Sequence, residues 1–94
     1  MGPLQINLLN YRVSEAGEKL DIPPMELKIL MALMKNCQKP VSKDDLHLAL
    51  YPNPDPDTSP PLSIIESYIS SLRKRLRRCS IDTVRGVGYR LDFD

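Results

Sequence analysis

The sequence has only two cysteines, Cys37 and Cys79, and a single histidine, His47. These side chains lie far apart along the chain and lack the paired spacing by which proteins hold zinc, so no metal site is expected. A disulfide between the cysteines has no support, and two thiols in a reducing compartment are the simpler reading. A lone histidine without a neighbouring serine or cysteine nucleophile motif argues against hydrolytic catalysis. No phosphate-cradling loop appears, and no cofactor is expected. No apolar run approaches the ~20 residues that a membrane span requires. The N-terminus lacks a basic stretch followed by an apolar one, so a cytoplasmic location is expected. These absences leave a binding domain as the expected class and make an enzyme the least favoured one.

At 94 residues the chain has room for one domain, 1–94, with one modest core. Hydrophobic residues make up 41% and charged ones 27%, an ordinary globular balance. The formal charge of +1 conceals an asymmetry. Residues 1–62 hold six Lys/Arg against eight Asp/Glu, whereas residues 63–94 hold seven against four. Positive charge is thus concentrated in the last third, which suits a surface facing phosphates.

Along the chain, Leu4, Ile6 and Leu8 alternate with polar residues, and Tyr11 and Val13 continue the alternation. Glu15-Ala16-Gly17-Glu18 reads as a turn, followed by Leu20 and Ile22. Residues 4–22 are therefore expected to form an antiparallel sheet of three or four short strands, which must pack on helices to be stable. Pro23-Pro24 ends the sheet and opens a first helix over 24–36, with proline tolerated in the first turn. Leu27, Leu30, Met31 and Met34 define its apolar stripe, and Ile29 and Leu33 widen it. Ser42 caps a second helix over 42–50, whose buried side is expected to be Leu46, Ala49 and Leu50. Residues 52–61 then carry five prolines and no Lys or Arg, a density that excludes helix or central strand. The loop 51–62 reads equally well as a partner-docking segment or as a rigid spacer.

The run SIIESYISSLRKRLRR, 63–78, is the third helix. Ile65, Ile69, Leu72 and Leu76 fall on one stripe at i, i+4, i+7 and i+11. Ser63 with Glu66 three residues on reads as a capping box. The opposite stripe carries Ser63, Ser67, Ser70, Lys74 and Arg77, hydroxylic in its first half and cationic in its second. Alone, such a stripe fits a solvated surface as well as an anionic partner. The next element is a hairpin over 81–93, with strands Ile81–Val84 and Tyr89–Phe93 joined by Arg85-Gly86-Val87-Gly88, which is expected to turn Arg85 and Arg90 outward. The order is α+β: an N-terminal antiparallel sheet, three helices and a C-terminal β-hairpin wing, a winged helix-turn-helix arrangement. Its third helix fits a DNA major groove, ~12 Å wide. A wing tipped with arginine and glycine reaches the backbone or a narrow minor groove.

TVRGVGYRL (Thr83 to Leu91) and YISSLRKRL (Tyr68 to Leu76) resemble the C-terminal effector domain of OmpR/PhoB-type response regulators. IPPMELKILMALMKN (Ile22 to Asn36) is similar to that family's first helix and KPVSKDDL (Lys39 to Leu46) to its second. The resemblance covers nearly the whole chain. It implies a winged helix with a four-stranded N-terminal sheet. It also implies double-stranded DNA as the partner, direct-repeat half-sites, dimerisation on DNA and transcriptional control downstream of a phosphorylated receiver domain. Residue by residue, it implies that Ser67, Ser70 and Ser71 face the major groove. Ser63, Tyr68, Arg73, Lys74 and Arg77 would meet phosphates. Thr83 and Arg85 belong to the wing, with Arg85 in the minor groove and Tyr89 anchoring the wing on the core. The loop Tyr51 to Leu62 matches the segment that contacts RNA polymerase. Many relatives have arginines where this chain has Ser70 and Ser71, and a polar or basic residue at Ile64. Serine reads bases less stringently than a bidentate Arg–guanine pair worth ~1–3 kcal/mol, so more reliance on phosphates and DNA shape is expected. Two other readings use the same fold: a protein-interaction module that has lost DNA binding, and the cytoplasmic part of a membrane-anchored ToxR-like regulator.

Overall fold

A computed structural model describes residues 4–7, 9–10, 12–53, 55, 57–77 and 79–93. Leu8, Tyr11, Pro54, Pro56 and Arg78, which the sequence reading places in strands, loop and helix, lie outside the described residues.

Three short strands open the chain: β1 (Leu4–Asn7), β2 (Arg12–Glu15) and β3 (Glu18–Leu20). They form one antiparallel sheet in the order β1-β2-β3, with Ile6 opposite Val13 and Val13 opposite Leu20. The β2–β3 connection is the two-residue turn Ala16-Gly17, with both φ angles positive at 52° and 85°, the geometry that lets a tight hairpin follow the strands' own twist. The described sheet has three strands and not the four that the family resemblance implies. Pro23 and Pro24 follow β3 within four residues and turn the chain into a helix.

Helix α1 (Pro24–Lys35) starts with proline in its first turn and ends at Asn36, whose side chain donates back to the Ala32 carbonyl at 3.0 Å. Its buried face is Glu26, Leu27, Ile29, Leu30 and Leu33, while Met31 and Met34 are only half-buried. The expected stripe is thus rotated: Ile29 and Leu33 form its centre and the methionines its edge. Helix α2 (Lys43–Leu50) is capped by Ser42, whose hydroxyl accepts from the Asp45 N–H at 3.1 Å. It buries Leu46 and Leu50; Ala49 is exposed, contrary to expectation.

Helix α3 (Ser63–Arg75) buries Ile65, Ile69 and Leu72. Leu76, just beyond its end, completes the stripe. Burial of each such aliphatic side chain contributes roughly 1.5–3 kcal/mol, which fixes the helix's rotation about its own axis. Strands β4 (Cys79–Val84) and β5 (Gly88–Phe93) form the C-terminal hairpin, with Ile81 opposite Leu91 and Thr83 opposite Tyr89. The hairpin begins two residues earlier than the 81–93 expected, because the helix stops short.

The core gathers Leu4 and Val13 from the sheet, the apolar faces of all three helices, and Ile81, Tyr89 and Leu91 from the hairpin. Tyr89 therefore anchors the wing, as expected. Val41 pairs with Tyr89 through N–H to carbonyl bonds of 2.7 and 2.9 Å in both directions, tying β5 to the residue that precedes the α2 cap. No disulfide joins Cys37 and Cys79.

Candidate nucleic-acid interface

The exposed face of α3 carries Ser63, Glu66, Ser67, Ser70, Arg73 and Lys74. Helical spacing sets Ser63, Ser67, Ser70 and Lys74 in one row, with Glu66 and Arg73 along one flank. Ser71 and Tyr68 are half-buried and fall on the other flank. Of the three serines expected to face the groove, Ser67 and Ser70 are thus exposed and Ser71 sits at the margin of the exposed face. Arg77 is exposed but lies past the helix, on the link to β4, because α3 ends at Arg75 and not at 78.

The start of the helix differs from the expected capping box. Leu62 occupies the capping position in α-helical geometry and no side chain caps the turn. Instead Ile64 and Ile65 donate to the carbonyls of Pro61 and Leu62, at 3.1 and 3.0 Å. Glu66, freed from the box, accepts a 2.5 Å hydrogen bond from Lys43 of α2. That bond, together with the carboxylate's charge, raises the Lys43 pKa above the usual lysine value. Ser63 is left as an exposed hydroxyl on the first turn.

Arg73 is held along the wing. Its Nε donates to the Ile81 carbonyl at 2.8 Å and its Nη2 to the Thr83 hydroxyl at 2.9 Å. The guanidinium carbon stands 5.8 Å from the centroid of the Tyr89 ring, within cation–π range. Two of the five N–H donors of a guanidinium are therefore engaged inside the protein. Tyr68, expected at a phosphate, is half-buried, and its neighbour Tyr51 has its hydroxyl pKa raised above the ordinary phenol range by burial and then by Tyr68.

Beyond Thr83 the hairpin turns through Arg85-Gly86-Val87, all exposed. Gly86 has φ 74°, which favours glycine, and the Val87 N–H closes the turn on the Val84 carbonyl at 3.0 Å. Gly88 lies so close to the start of α2 that a Cβ would collide with the Val41 carbonyl oxygen and stand 2.7 Å from the Ser42 Cα. Between the wing, the N-terminus of α2 and the first half of α3 runs a cleft of about 630 Å³, lined by Lys43, Glu66, Arg73 and Arg85 among others. Arg90, expected to point outward with Arg85, instead pairs with Asp92 at 3.0 Å and Asp82 at 3.5 Å.

Further contacts that the sequence reading missed hold the face in place. Arg75 of α3 donates to the Asp21 carbonyl at 2.7 Å and lies 3.7 Å from the buried Glu26 carboxylate of α1. Glu15 of β2, also buried, accepts the Arg77 N–H at 2.8 Å. On the far side His47 Nε2 donates to the Pro60 carbonyl at 2.7 Å, closing the end of the proline-rich loop onto α2. Within that loop the Asp57 N–H donates to the Asp55 carboxylate, and Thr58 and Ser59 donate to its carbonyl.

Among the cations of the last third, the structure thus separates two groups. Arg73, Arg75 and Arg90 are engaged within the protein. The side chains of Lys74, Arg77 and Arg85 are exposed and form no ion pair or hydrogen bond among the described residues.

Three helices, a terminal hairpin bound to the α2 start and an exposed third helix define a winged helix-turn-helix domain. Residues 17–91 match the family of the C-terminal domain of transcriptional regulatory proteins. The chain belongs to that family, which is the effector-domain family of OmpR/PhoB-type response regulators. It is 33% identical over 91 residues to the transcriptional regulatory protein BasR of Escherichia coli strain K12, covering 97% of this chain and 40% of that protein. It is 30% identical over 92 residues to the response regulator PmrA of Pseudomonas aeruginosa, covering 97% and 40%. The chain spans about two fifths of the length of the curated relatives it matches. Among solved structures, the DNA-binding domain of the response regulator AdeR, in complex with an intercistronic region, superposes with a TM-score of 0.82 at 23% identity, covering 100% of this chain and 98% of that one. This likeness shows the shared fold. The C-terminal domain of the nisin resistance regulator NsrR superposes with a TM-score of 0.75 at 28% identity, covering 97% and 92%. No helix among the described residues is long and apolar enough to cross a membrane.

Proposed function

We propose that this domain binds double-stranded DNA as the output module of a two-component response regulator in the cytoplasm, with α3 in the major groove and the wing tip at the adjacent minor groove. The observation that carries the reading is the sorting of cations in the last third: there Lys74, Arg77 and Arg85 are the ones whose side chains are left exposed without protein partners among the described residues, and they lie on α3, just beyond it and at the wing tip. Ser67 and Ser70 read base edges, with Ser71 at the margin. Ser63, Lys74 and Arg77 contact phosphates, Tyr68 supports them through its flank, and Arg85 enters the minor groove beside Thr83. The DNA-bound AdeR domain and the membership in the transcriptional-regulator family support this reading. Two copies dimerise on direct-repeat half-sites, and the loop 51–62, pinned by His47, presents exposed Asp55 and Asp57 to RNA polymerase. The reaction class is binding and no catalytic step is assigned.

The test is fluorescence anisotropy with labelled duplexes selected from random DNA, repeated over a series of salt concentrations. Log affinity is expected to fall linearly with log salt, with a slope of about −0.9 for each phosphate neutralised. A flat response, or no binding, supports a protein-interaction module instead.

A further inference from the structure

Arg73 points from the recognition helix along the wing, and its partners locate it on the strand that leads to the tip. Ile81 and Thr83 are alternate residues of β4, so their groups reached by Arg73 lie along one stretch of strand. Thr83 is two residues from Arg85. On the other strand Tyr89, beneath the guanidinium, is bonded through its backbone to Val41 at the entrance to α2. The hairpin is therefore gripped close to its turn, at the Thr83–Tyr89 pair, from two sides, by Arg73 from α3 and by Val41 from the α2 entrance, and beyond the next pair, Val84–Gly88, only Arg85-Gly86-Val87 overhang. A planar guanidinium that bonds a carbonyl and a hydroxyl at once fixes an angle as well as a distance. A lysine ammonium keeps the charge but lacks that planar fork.

Resting on the proposed DNA-binding reading, we infer that Arg73 is a positioning residue: it sets the angle between recognition helix and wing, so that Arg85 reaches its groove only when Arg73 holds Thr83 and Ile81. Arg73 thereby acts on DNA through Arg85, and helix and wing engage as one rigid unit.

Coupling and salt slope distinguish this role from a direct phosphate contact. Anisotropy measurements use a labelled duplex selected from random DNA by the wild-type protein, with Arg73→Ala, Arg85→Ala and the double variant. Arg73→Ala is expected to weaken binding about tenfold in the wild-type background and less than about threefold when Arg85 is already gone, the non-additivity of groups acting as a unit. Thr83→Val, which removes the acceptor hydroxyl and no charge, should weaken binding in the same direction with an unchanged salt slope, and Thr83→Ser should restore it. Arg73→Lys should behave like Thr83→Val. In backbone NMR spectra without DNA, the amides of Arg85, Gly86 and Val87 should shift in Arg73→Lys and Thr83→Val, while those of β1 to β3 stay in place; this arm also shows that the variants are folded. Equal losses of affinity in both backgrounds, full activity of Arg73→Lys, or wing amides that do not move would overturn the inference while leaving DNA binding intact. A wild-type protein that binds no duplex would remove the functional reading beneath it.

Discussion

At the scale of single residues, Gly88 shows how a position is set by a close neighbour as well as by its own backbone, whose φ is 159°. The wing must pass the start of α2 closely enough for Val41 and Tyr89 to exchange two backbone hydrogen bonds. That approach leaves no room for a Cβ against the Val41 carbonyl. Gly88→Ala is therefore expected to cost about 1–3 kcal/mol or more through forced repacking, which for a domain of this size lowers the melting temperature by roughly 4–8 °C per kcal/mol. Thermal denaturation followed by circular dichroism reads this directly. Gly86, with open space around its Cα, is the contrasting position. There the cost of alanine comes from its left-handed backbone alone, so Gly86→Ala should be the milder change.

At the scale of elements, α3 is fixed on both of its ends by residues from elsewhere in the chain. At the start Glu66 meets Lys43, and at the end Arg75 meets Asp21 and Glu26. Glu26 is almost fully buried in the α1 face and Arg75 is its cation at 3.7 Å. Removing only the cation leaves a buried carboxylate without compensation, whereas removing both leaves an apolar contact. Arg75→Met is expected to destabilise by roughly 1–3 kcal/mol, below the range for fully enclosed pairs because the arginine reaches solvent. Glu26→Met/Arg75→Met together should recover most of that loss, as measured by urea denaturation. The buried stripe of α3 was legible from its period alone, and so was the wing, from the spacing of arginine and glycine between two alternating runs. The stripe of α1 was misplaced because that helix is apolar nearly all round and gives little contrast to locate its centre. Glu26, seven, four and three residues ahead of Leu33, Leu30 and Ile29, shares their face and marks it, once read as a buried charge. The pairs Lys43–Glu66, Arg75–Asp21 and Arg77–Glu15 join residues 23, 54 and 62 positions apart. No local periodicity encodes such pairings, since they depend on how finished elements dock. The capping box failed for the same reason: Glu66 had a better partner across the domain than its own helix start.

At the scale of the whole molecule, a net charge of +1 is too small to hold a polyanion without spatial sorting. Within the last third the fold does the sorting by pairing Arg73, Arg75 and Arg90 internally and leaving Lys74, Arg77 and Arg85 exposed. Lys28 and Lys35 of α1 are exposed as well, yet they line a different groove, with Met31, Ala32 and Ala49, and take no part in the cleft between α3 and the wing. Charge count alone predicts that any of these lysines matters equally; location predicts otherwise. Lys74→Ala and Arg77→Ala are each expected to make the salt slope of DNA binding shallower by about 0.9, with base preference unchanged. Lys28→Ala and Lys35→Ala remove the same charge from the other groove and should leave the slope where it was, apart from a small uniform change in long-range attraction that added salt screens out. If all four substitutions flattened the slope alike, DNA would be meeting a diffuse cationic surface. The distinction between engaged and exposed cations on which the α3 and wing assignment stands would then have no bearing on how the domain binds.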